Sequence, residues 1–383
     1  MESLTRREWL KAAAGGTLAL IGLGDLAGRE CAAFAAAPKG AQPPTGGWLR
    51  KAKFYERLPN KKVRCLLCPR KCEVGDAERG FCGVRENHGG EYYTLVHGRA
   101  ASVNIDPIEK KPFFHFTPGQ WIFSFATAGC NLACKNCQNW QLSQSTAEQV
   151  RSIDLPPASL VELTKRNRLS LIAATYTEPV VFSEYVLDTA REGSRQGVRT
   201  LAVTAGYIER KPLIEMCKEL AAIKVDLKSM RERFYHDNCA GTLKPVLAAI
   251  EFIKSRGVWL EIVYLAIPTL NDSEREIRDL ARWVRANVGR DVPLHFSRFY
   301  PTYRLKNLPH TPYETLDRCY QIARAEGLHY VYVGNVPDHP AQNTICPRCG
   351  KTVIGRRAYE ITQNNLKAGK CKFCGTAVPG VWS

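Results

Sequence analysis

The sequence lacks an apolar run long enough to cross a membrane. A transmembrane helix needs about 20 apolar residues, and the uncharged stretch nearest the N-terminus, residues 12–24, is shorter and rich in glycine. Apart from an alternation of strand-like and helix-like segments, the chain also lacks an internal repeat of the 20–50 residues typical of solenoids and propellers. We therefore predict a globular protein with no transmembrane span.

Acidic residues are few relative to basic ones. The chain has 37 Asp and Glu against 54 Lys and Arg, for a net charge of +17. Such a charge favours anionic partners: nucleic acid, an acidic protein or a phosphorylated substrate. Because the basic residues are dispersed and form no block, a solvated basic surface is the simpler interpretation.

Cysteine, in contrast, is abundant. Eleven of the 15 cysteines fall into three close-spaced groups. A chain of 383 residues that is 45% hydrophobic can bury its own core and needs no disulfide scaffold. Grouped cysteines in a large enzyme are more typical of metal or iron–sulfur ligands.

The N-terminus has the three regions of an export signal. Arg6 and Arg7 precede a short apolar stretch, and an Ala-rich segment follows it. The arginine pair resembles the twin-arginine signal, which exports folded proteins. We predict a signal peptide at residues 1–37, a Pro/Gly linker at 38–47 and a periplasmic location. The alternative is a disordered basic tail on a cytoplasmic protein.

Beyond the linker the chain divides into three parts. Residues 48–119 are predicted to form a small Cys-containing module. In residues 120–340, apolar runs of strand length alternate with segments of helical periodicity, a pattern that builds parallel sheets by right-handed crossovers. Six or seven such units predict an α/β fold, a partial (β/α)6-type TIM barrel. Residues 341–383 are predicted to form a zinc-ribbon-like tail.

The central cysteine group is the strongest candidate for chemistry. Cys130, Cys134 and Cys137 are separated by three and two residues and follow the first predicted barrel strand. That places them where barrels carry their reactive groups. A four-iron cluster needs one thiolate for each iron, so three cysteines leave one iron open to another ligand.

This cysteine triad and several other motifs resemble the radical S-adenosylmethionine (SAM) superfamily, in the branch related to pyruvate formate-lyase activating enzyme. The closer resemblance is to the "AmmeMemoRadiSam system" radical SAM family and runs from about Cys65 to Arg356. The segments that carry it are residues 65–72 (CLLCPRKC), 80–87 (GFCGVREN), 106–112 (DPIEKKP), 137–140 (CQNW), 176–179 (YTEP), 226–228 (DLK), 267–272 (IPTLND) and 334–337 (GNVP).

The resemblance implies an enzyme whose [4Fe–4S] cluster cleaves SAM reductively to a 5′-deoxyadenosyl radical. That radical would abstract hydrogen from a protein, as in glycyl-radical activation, or from a small molecule. A flavodoxin- or ferredoxin-type protein would supply electrons. Two alternatives remain: radical modification of RNA, and a non-catalytic electron-transfer or metal-binding protein.

The resemblance also implies SAM-binding residues. Glu178 would hold the SAM amino group, beside Thr177 in a motif that is usually glycine-rich. Asp226 and Lys228 would lie near the SAM carboxylate and ribose, unless they form only a structural salt bridge. His295 would lie near SAM or be a core histidine. Asn136 stands where the superfamily usually has an aromatic residue, so adenine stacking is expected from Trp140 or Tyr176.

Two further cysteine groups flank the barrel. Cys346, Cys349, Cys371 and Cys374 form two Cys-x-x-Cys pairs, typical of structural zinc, with a second cluster as the alternative. Cys65, Cys68, Cys72 and Cys82 form the other group, for which zinc is the first interpretation, an auxiliary iron–sulfur cluster the second and disulfides the third. Cys217, Cys239 and Cys319 are interpreted as buried structural residues.

Overall fold

The structure is a computed structural model that describes residues 49–383. The predicted signal peptide (1–37) and linker (38–47) lie outside the described residues. None of the helices in residues 49–383 combines the length and hydropathy that a membrane crossing requires.

A small β module begins the described chain. It contains two three-stranded antiparallel sheets, with strand orders β1-β6-β5 and β2-β3-β4. The strands are β1 (Arg50–Lys51), β2 (Tyr55–Arg57), β3 (Val63–Cys65), β4 (Glu73–Val74), β5 (Arg85–His88) and β6 (Glu91–Thr94). Val63, Val74 and Tyr92 are buried between them. Cys65 ends β3 and Cys72 directly precedes β4, so the cysteines of this module lie at strand ends and in turns.

An eight-stranded sheet forms the body of the protein. Its order is β16-β15-β14-β13-β12-β11-β9-β8, and β8 alone is antiparallel to its neighbour. A separate antiparallel pair, β7 with β10, lies outside this sheet. The strands are β7 (Arg99–Ala100), β8 (Ser102–Pro107), β9 (Trp121–Ala126), β10 (Ile153–Asp154), β11 (Leu171–Ala174), β12 (Arg199–Thr204), β13 (Ala222–Asp226), β14 (Trp259–Ala266), β15 (Leu294–Arg298) and β16 (Val331–Gly334).

Helices connect each parallel strand to the next. They are α1 (Trp140–Ser143), α2 (Pro157–Arg166), α3 (Ser183–Arg195), α4 (Arg210–Glu219), α5 (Glu232–Phe234, continued by a π-helical turn over Tyr235–Cys239), α6 (Lys244–Ser255), α7 (Glu274–Asn287) and α8 (Tyr313–Ala325). Short 3₁₀ turns occur at Ile108–Lys110, Pro179–Phe182 and Pro340–Gln342. Seven parallel strands in chain order with six helical connections confirm the predicted α/β partial barrel.

Local sequence explains these elements. All four residues of β11 are buried, as expected of a strand covered on both faces of a parallel sheet. At the start of α7 the Ser273 hydroxyl accepts a hydrogen bond from Glu276 N, and acidic residues occupy the first turn, where the helix dipole favours them. Ile277, Leu280 and Val284 recur at helical spacing and are fully buried.

The N-terminal module predicted at residues 48–119 contributes a strand to the barrel sheet. β8 lies within residues 48–119, yet it pairs over its full length with β9 of the main sheet, from Ser102 opposite Ala126 to Pro107 opposite Trp121. The large sheet therefore gains an antiparallel edge strand from the N-terminal part of the chain.

The C-terminal tail folds against the barrel. It contains a three-stranded sheet of β17 (Thr344–Ile345), β18 (Thr352–Arg357) and β19 (Glu360–Asn364), and a hairpin of β20 (Leu366–Lys367) and β21 (Lys370–Cys371). Val353 and Val378 pack in one cluster with Phe114, Tyr330 and Tyr332. The tail and the barrel thus share a small hydrophobic core.

Candidate functional site

A cavity of about 820 Å³ opens at the carboxyl ends of the parallel strands. Residues that follow β9, β11 and β12 line it together with residues on or after β13 to β16. Barrels of parallel strands carry their reactive side chains at this end of the sheet. Ala358 and Tyr359 of the tail also line the cavity, so the tail completes its wall.

The triad Cys130, Cys134 and Cys137 lines this cavity from the loop after β9. All three thiols are free and partly exposed. Within residues 49–383, no grouping of potential ligands that lie within 4.8 Å of one another includes these sulfurs. A donor set of three thiols suits an iron–sulfur cluster, in which each thiolate binds a different iron.

Backbone contacts fix the loop that carries the triad. Ala133 N donates to the Cys239 carbonyl at 2.9 Å, and Lys135 N donates to the Asn238 carbonyl at 2.8 Å. Both acceptors belong to the π-helical turn that continues α5. π-Helical turns often mark functional positions, and this one holds the loop from outside the cavity.

The three thiols differ in acidity. The pKa of Cys134 is lowered, first by its contact with the Cys239 thiol and then by the nearby Lys228 ammonium. Burial raises the pKa of Cys130, and the Glu178 carboxylate raises it further. Burial also raises the pKa of Cys137. Cys134 is thus the most readily ionised ligand, and the predicted structural residue Cys239 contacts the triad.

Glu178 is a buried carboxylate in the cavity wall. It is 3% exposed, and it accepts hydrogen bonds from Thr204 Oγ1 at 2.5 Å, Ala205 N at 2.8 Å and Val180 N at 3.1 Å. Burial raises its pKa, while these donors act in the opposite direction. A carboxylate has about four lone-pair sites, so Glu178 retains capacity to accept a bond from a cationic ligand.

Three charged residues share one face at the end of β13. Lys228 Nζ donates to Asp226 Oδ2 at 3.1 Å, and Lys224 Nζ donates to Asp226 Oδ1. Burial disfavours the charged form of Asp226, but the two lysines outweigh it and hold its pKa at about 2. Sequence reasoning missed Lys224, although its spacing of two from Asp226 places it on the same face of the strand.

Asn136 and Thr177 also lie in the cavity wall. Both are buried, and Thr177 Oγ1 donates to the Thr127 carbonyl at 2.9 Å, which ties the segment after β11 to the segment after β9. All six predicted SAM-binding residues line this cavity with the triad: Asn136, Thr177, Glu178, Asp226, Lys228 and His295.

The two aromatic candidates for adenine stacking lie in different places. Tyr176 lines the cavity in a left-handed conformation (φ 65°), and its hydroxyl donates to Asp106 Oδ2 at 2.5 Å. Lys111 Nζ lies 4.2 Å from the centre of the Tyr176 ring. Trp140 stacks on Tyr303 at 5.1 Å and does not line the cavity in the part of the chain that the structure describes.

His295 lies deeper on its strand than the other predicted residues. Its Nε2 is 2.7 Å from Glu261 Oε2, and its ring stacks on Tyr332. Burial lowers the pKa of His295, although Glu261 opposes this effect. The imidazole contributes to the cavity lining, but its ring nitrogen is engaged by a core carboxylate, as a satisfied core histidine would be.

The four C-terminal cysteines converge closely. Cys346 and Cys374 sulfurs are 3.6 Å apart, Cys349 and Cys371 sulfurs are 3.8 Å apart, and all four lie within 4.8 Å of one another. Four sulfurs at about 2.3 Å from a tetrahedral ion would be separated by about 3.8 Å. We call these residues the C-terminal tetrad; their geometry fits a single ion.

The four N-terminal cysteines, Cys65, Cys68, Cys72 and Cys82, are called the N-terminal tetrad. All four are free, and none lines the cavity. Unlike the C-terminal tetrad, they do not form a group of sulfurs within 4.8 Å of one another.

Two comparisons identify what the chain resembles. The family model described as the radical SAM superfamily matches residues 125–281, which include the triad and Glu178, Asp226 and Lys228. An uncharacterized protein of Methanocaldococcus jannaschii is 41% identical over 332 residues, covering 86% of this chain and 99% of the relative.

Two solved structures show weaker likeness. A radical SAM methyltransferase from Sphaerobacter thermophilus is 18% identical with a TM-score of 0.47, over 62% of this chain and 71% of that one. A domain of pyruvate-formate lyase-activating enzyme from Bacteroides vulgatus is 18% identical with a TM-score of 0.39, over 43% of this chain and 98% of that one.

Proposed function

This chain belongs to the radical SAM superfamily and is an enzyme, and on that premise we propose that it abstracts a hydrogen atom from a substrate bound in the cavity. Bound at this site, a [4Fe–4S] cluster and SAM would supply one electron and a 5′-deoxyadenosyl radical. The observation that carries the proposal is the position of the triad in one cavity with a buried carboxylate and a lysine.

The triad residues hold the cluster and leave one iron for SAM. Cys134 binds as a thiolate most readily because the Cys239 thiol and Lys228 stabilise its charge. Cys130 and Cys137 have raised pKa values in the metal-free protein, and metal coordination removes their protons. Two backbone hydrogen bonds to the π-helical turn that continues α5 tether the loop that carries them.

Glu178 and Lys228 would position SAM. The Glu178 carboxylate would accept from the SAM ammonium, and Thr204 and Ala205 hold it in one orientation. Lys228, which pairs with Asp226, would bind the SAM carboxylate, and Asp226 would lie near the ribose. Asn136 and Thr177 are buried in the cavity wall and would shield SAM from solvent.

The substrate is proposed to be a protein segment that receives a glycyl radical, with a small molecule as the alternative. The cavity is at the upper end of the range of about 300–1,000 Å³ for ligand pockets, so it has room for a second molecule beside SAM. A low-potential flavodoxin- or ferredoxin-type protein supplies the electron. Within the superfamily, the shared motifs favour the AmmeMemoRadiSam system family.

The proposal includes zinc at the C-terminal tetrad. Sulfur separations of 3.6 and 3.8 Å fit the edges of a tetrahedral zinc–thiolate site. Such a site would stabilise a tail whose own core is small. None of its four cysteines lines the cavity, so we propose a structural role for this zinc.

The proposal also includes export through the twin-arginine pathway. Sequencing the N-terminus of the mature protein tests it: a start near Pro38 supports export, while a start at Met1 or Glu2 rejects it.

Production of 5′-deoxyadenosine tests the central claim. Anaerobically reconstituted protein is incubated with SAM and dithionite, and the nucleoside is quantified by mass spectrometry. We expect the product from the wild type and from Cys217→Ala, a cysteine outside the three groups, and none from Cys134→Ala. Deuterated substrates then identify the donor of the abstracted atom: label from a protein glycine supports the first substrate, and label from a small molecule the second. Absence of 5′-deoxyadenosine from the iron-loaded wild type would reject the proposed function.

A further inference from the structure

The N-terminal tetrad converges through two turns and a strand pair. Cys65 N donates to the Cys72 carbonyl at 2.9 Å, next to the pairing of β3 with β4, and Lys71 N closes a turn on the Cys68 carbonyl at 3.1 Å. Cys82 lies in the turn closed by Gly83 N and the Gly80 carbonyl at 2.9 Å. A Cβ placed on Gly80 would lie 3.8 Å from Cys72 Sγ, so the turn that contains Cys82 packs against Cys72.

The four thiols are all free. Cys65 and Cys68 are 6% and 8% exposed, and Cys72 and Cys82 are partly exposed. Adjoining turns that carry four free cysteines supply the four-thiolate ligand set of a metal centre.

Two buried donors in this module lack an acceptor. The Tyr92 hydroxyl and Arg85 Nε have no hydrogen-bond partner among the described residues, although Tyr92 is fully buried and Arg85 is 1% exposed. A Cβ at Gly80 would lie 2.6 Å from the Tyr92 hydroxyl and 3.8 Å from Cys72 Sγ, so this hydroxyl lies beside the tetrad. Buried donors are normally satisfied, and metal-bound sulfur would be an acceptor for the Tyr92 hydroxyl.

Sulfur spacing indicates what the tetrad holds. A single zinc ion requires separations of about 3.8 Å between sulfurs, which the C-terminal tetrad provides and the N-terminal tetrad does not. Among the described residues, neither the N-terminal tetrad nor the triad supplies three potential ligands within 4.8 Å of one another. A cubane separates its thiolates more widely than one ion does because each thiolate binds a different iron.

The N-terminal tetrad lies directly against the triad loop. Gly129, which precedes Cys130, has φ +90°, and a Cβ there would lie 2.6 Å from the Cys82 carbonyl oxygen and 2.8 Å from the Val84 side chain. On the other side, Arg70, between Cys68 and Cys72, donates from Nε to the Asn131 carbonyl at 2.6 Å. The two cysteine groups are thus joined by a close backbone approach before Cys130 and by a side-chain-to-backbone hydrogen bond after it.

We propose that the N-terminal tetrad binds a second [4Fe–4S] cluster that passes electrons to the triad. Each transfer moves one electron: a low-potential flavodoxin- or ferredoxin-type donor is oxidised by one electron, the tetrad cluster is reduced and then reoxidised, and the triad cluster is reduced. No atom or proton is exchanged. The relay rests on the proposed function, whereas the metal content of the tetrad does not.

Metal content of a variant without the triad tests the site itself. The triple variant Cys130→Ala, Cys134→Ala, Cys137→Ala is purified anaerobically after iron and sulfide reconstitution, and analysed for iron, zinc and electron paramagnetic resonance after reduction. We expect iron to fall from about eight to about four per chain, with a cubane signal retained. Adding Cys68→Ser and Cys82→Ser should remove the remaining iron, whereas adding Cys217→Ala should not. Zinc or disulfides at the tetrad, with no iron retained in the triple variant, would overturn the proposal.

Freeze-quench kinetics test the relay. In wild type, reduced flavodoxin should reduce the triad cluster in a fast phase that is lost in Cys68→Ser/Cys82→Ser, while reduction by dithionite persists in both. Iron retained at the triad and an unchanged circular dichroism spectrum establish that the variant is folded. An unchanged fast phase overturns the relay. If the wild type holds eight irons and shows the fast phase but makes no 5′-deoxyadenosine, the proposed function fails and the second cluster stands.

Discussion

The two tetrads each contain four cysteines, but the backbone arranges them differently. The C-terminal tetrad joins two Cys-x-x-Cys turns, one beside β17 and one at the end of β21, and its sulfurs approach to 3.6 and 3.8 Å. The N-terminal tetrad draws three cysteines from one turn region and the fourth from ten residues further on, and its sulfurs lie farther apart.

Their surroundings differ as well. A buried ion pair lies beside the N-terminal tetrad, with Arg85 donating to both oxygens of Glu184 at 2.8 Å. The C-terminal tetrad packs against Phe114 and Tyr332 and has two partly exposed cysteines, Cys349 and Cys374. Ligand type alone therefore does not decide the metal. The backbone sets the sulfur separation, and the neighbouring charges set the electrostatic environment.

The largest expected effect is at the C-terminal tetrad. Cys371→Ala should remove about one zinc per chain and leave iron unchanged. Because zinc contributes about 10–16 kcal/mol to the folding of small zinc-dependent peptides, the tail should unfold well below the wild-type temperature. Metal analysis and thermal unfolding measure both effects, with Cys217→Ala as the control. Loss of iron with zinc retained would reverse our assignment of the two tetrads.

The next largest effect is expected at the buried ion pair of Arg85 and Glu184, beside the N-terminal tetrad. Glu184→Gln leaves Arg85 as an uncompensated buried charge and should cost about 3–5 kcal/mol in the free energy of unfolding. The double variant Arg85→Met/Glu184→Gln should recover much of that loss. Denaturant titration gives all three values. A loss below about 1 kcal/mol for the single variant would mean that water reaches this pair.

Gly129→Ala tests the contact between the N-terminal tetrad and the triad loop. The new Cβ would meet the Cys82 carbonyl, and the positive φ is unfavourable for alanine, so we expect a cost of about 1–3 kcal/mol. Gly257→Ala is the matched control, since Gly257 has φ +73° and no atom near its Cβ position. Denaturant titration compares the two variants, and equal losses would show that the contact with Cys82 is easily displaced.

The smallest effect is expected for Tyr92→Phe, and it should differ between the metal-free and the iron-loaded protein. Tyr92→Phe removes a hydroxyl that has no protein acceptor, so the unfolding free energy of metal-free protein should change by less than about 0.5 kcal/mol. In the iron-loaded protein the same change removes a donor to sulfur and should make the cluster potential more negative, as redox titration measures. A large loss of stability without metal would show that the hydroxyl already has a partner.

Much of the barrel could be predicted from the chain. The strand-length apolar runs predicted within residues 120–340 are confirmed by β9 and by β11 to β16, because buried parallel strands leave a continuous hydrophobic signal. The antiparallel strand β8 was not predicted. Its Asn104 and Ile105 are exposed, so it lacks the run of apolar residues that identifies a strand covered on both faces.

The site was predictable where its residues follow a strand and harder where distant segments meet. The two-residue period of a strand places Asp226 and Lys228 on one face, and it places Lys224 on the same face. Cys239 lies more than one hundred residues from Cys134, and only the π-helical turn brings their thiols together. No local spacing encodes such a contact, since it depends on tertiary packing.

The turn between β18 and β19 has a consequence for specificity. Ala358 and Tyr359 line the cavity from this turn, whereas the residues proposed to bind the cluster and SAM lie on the barrel. Insertions or exchanges at these two positions can therefore reshape the substrate chamber while the radical-generating machinery stays intact. Divergence among relatives in what they accept is expected to concentrate in this hairpin.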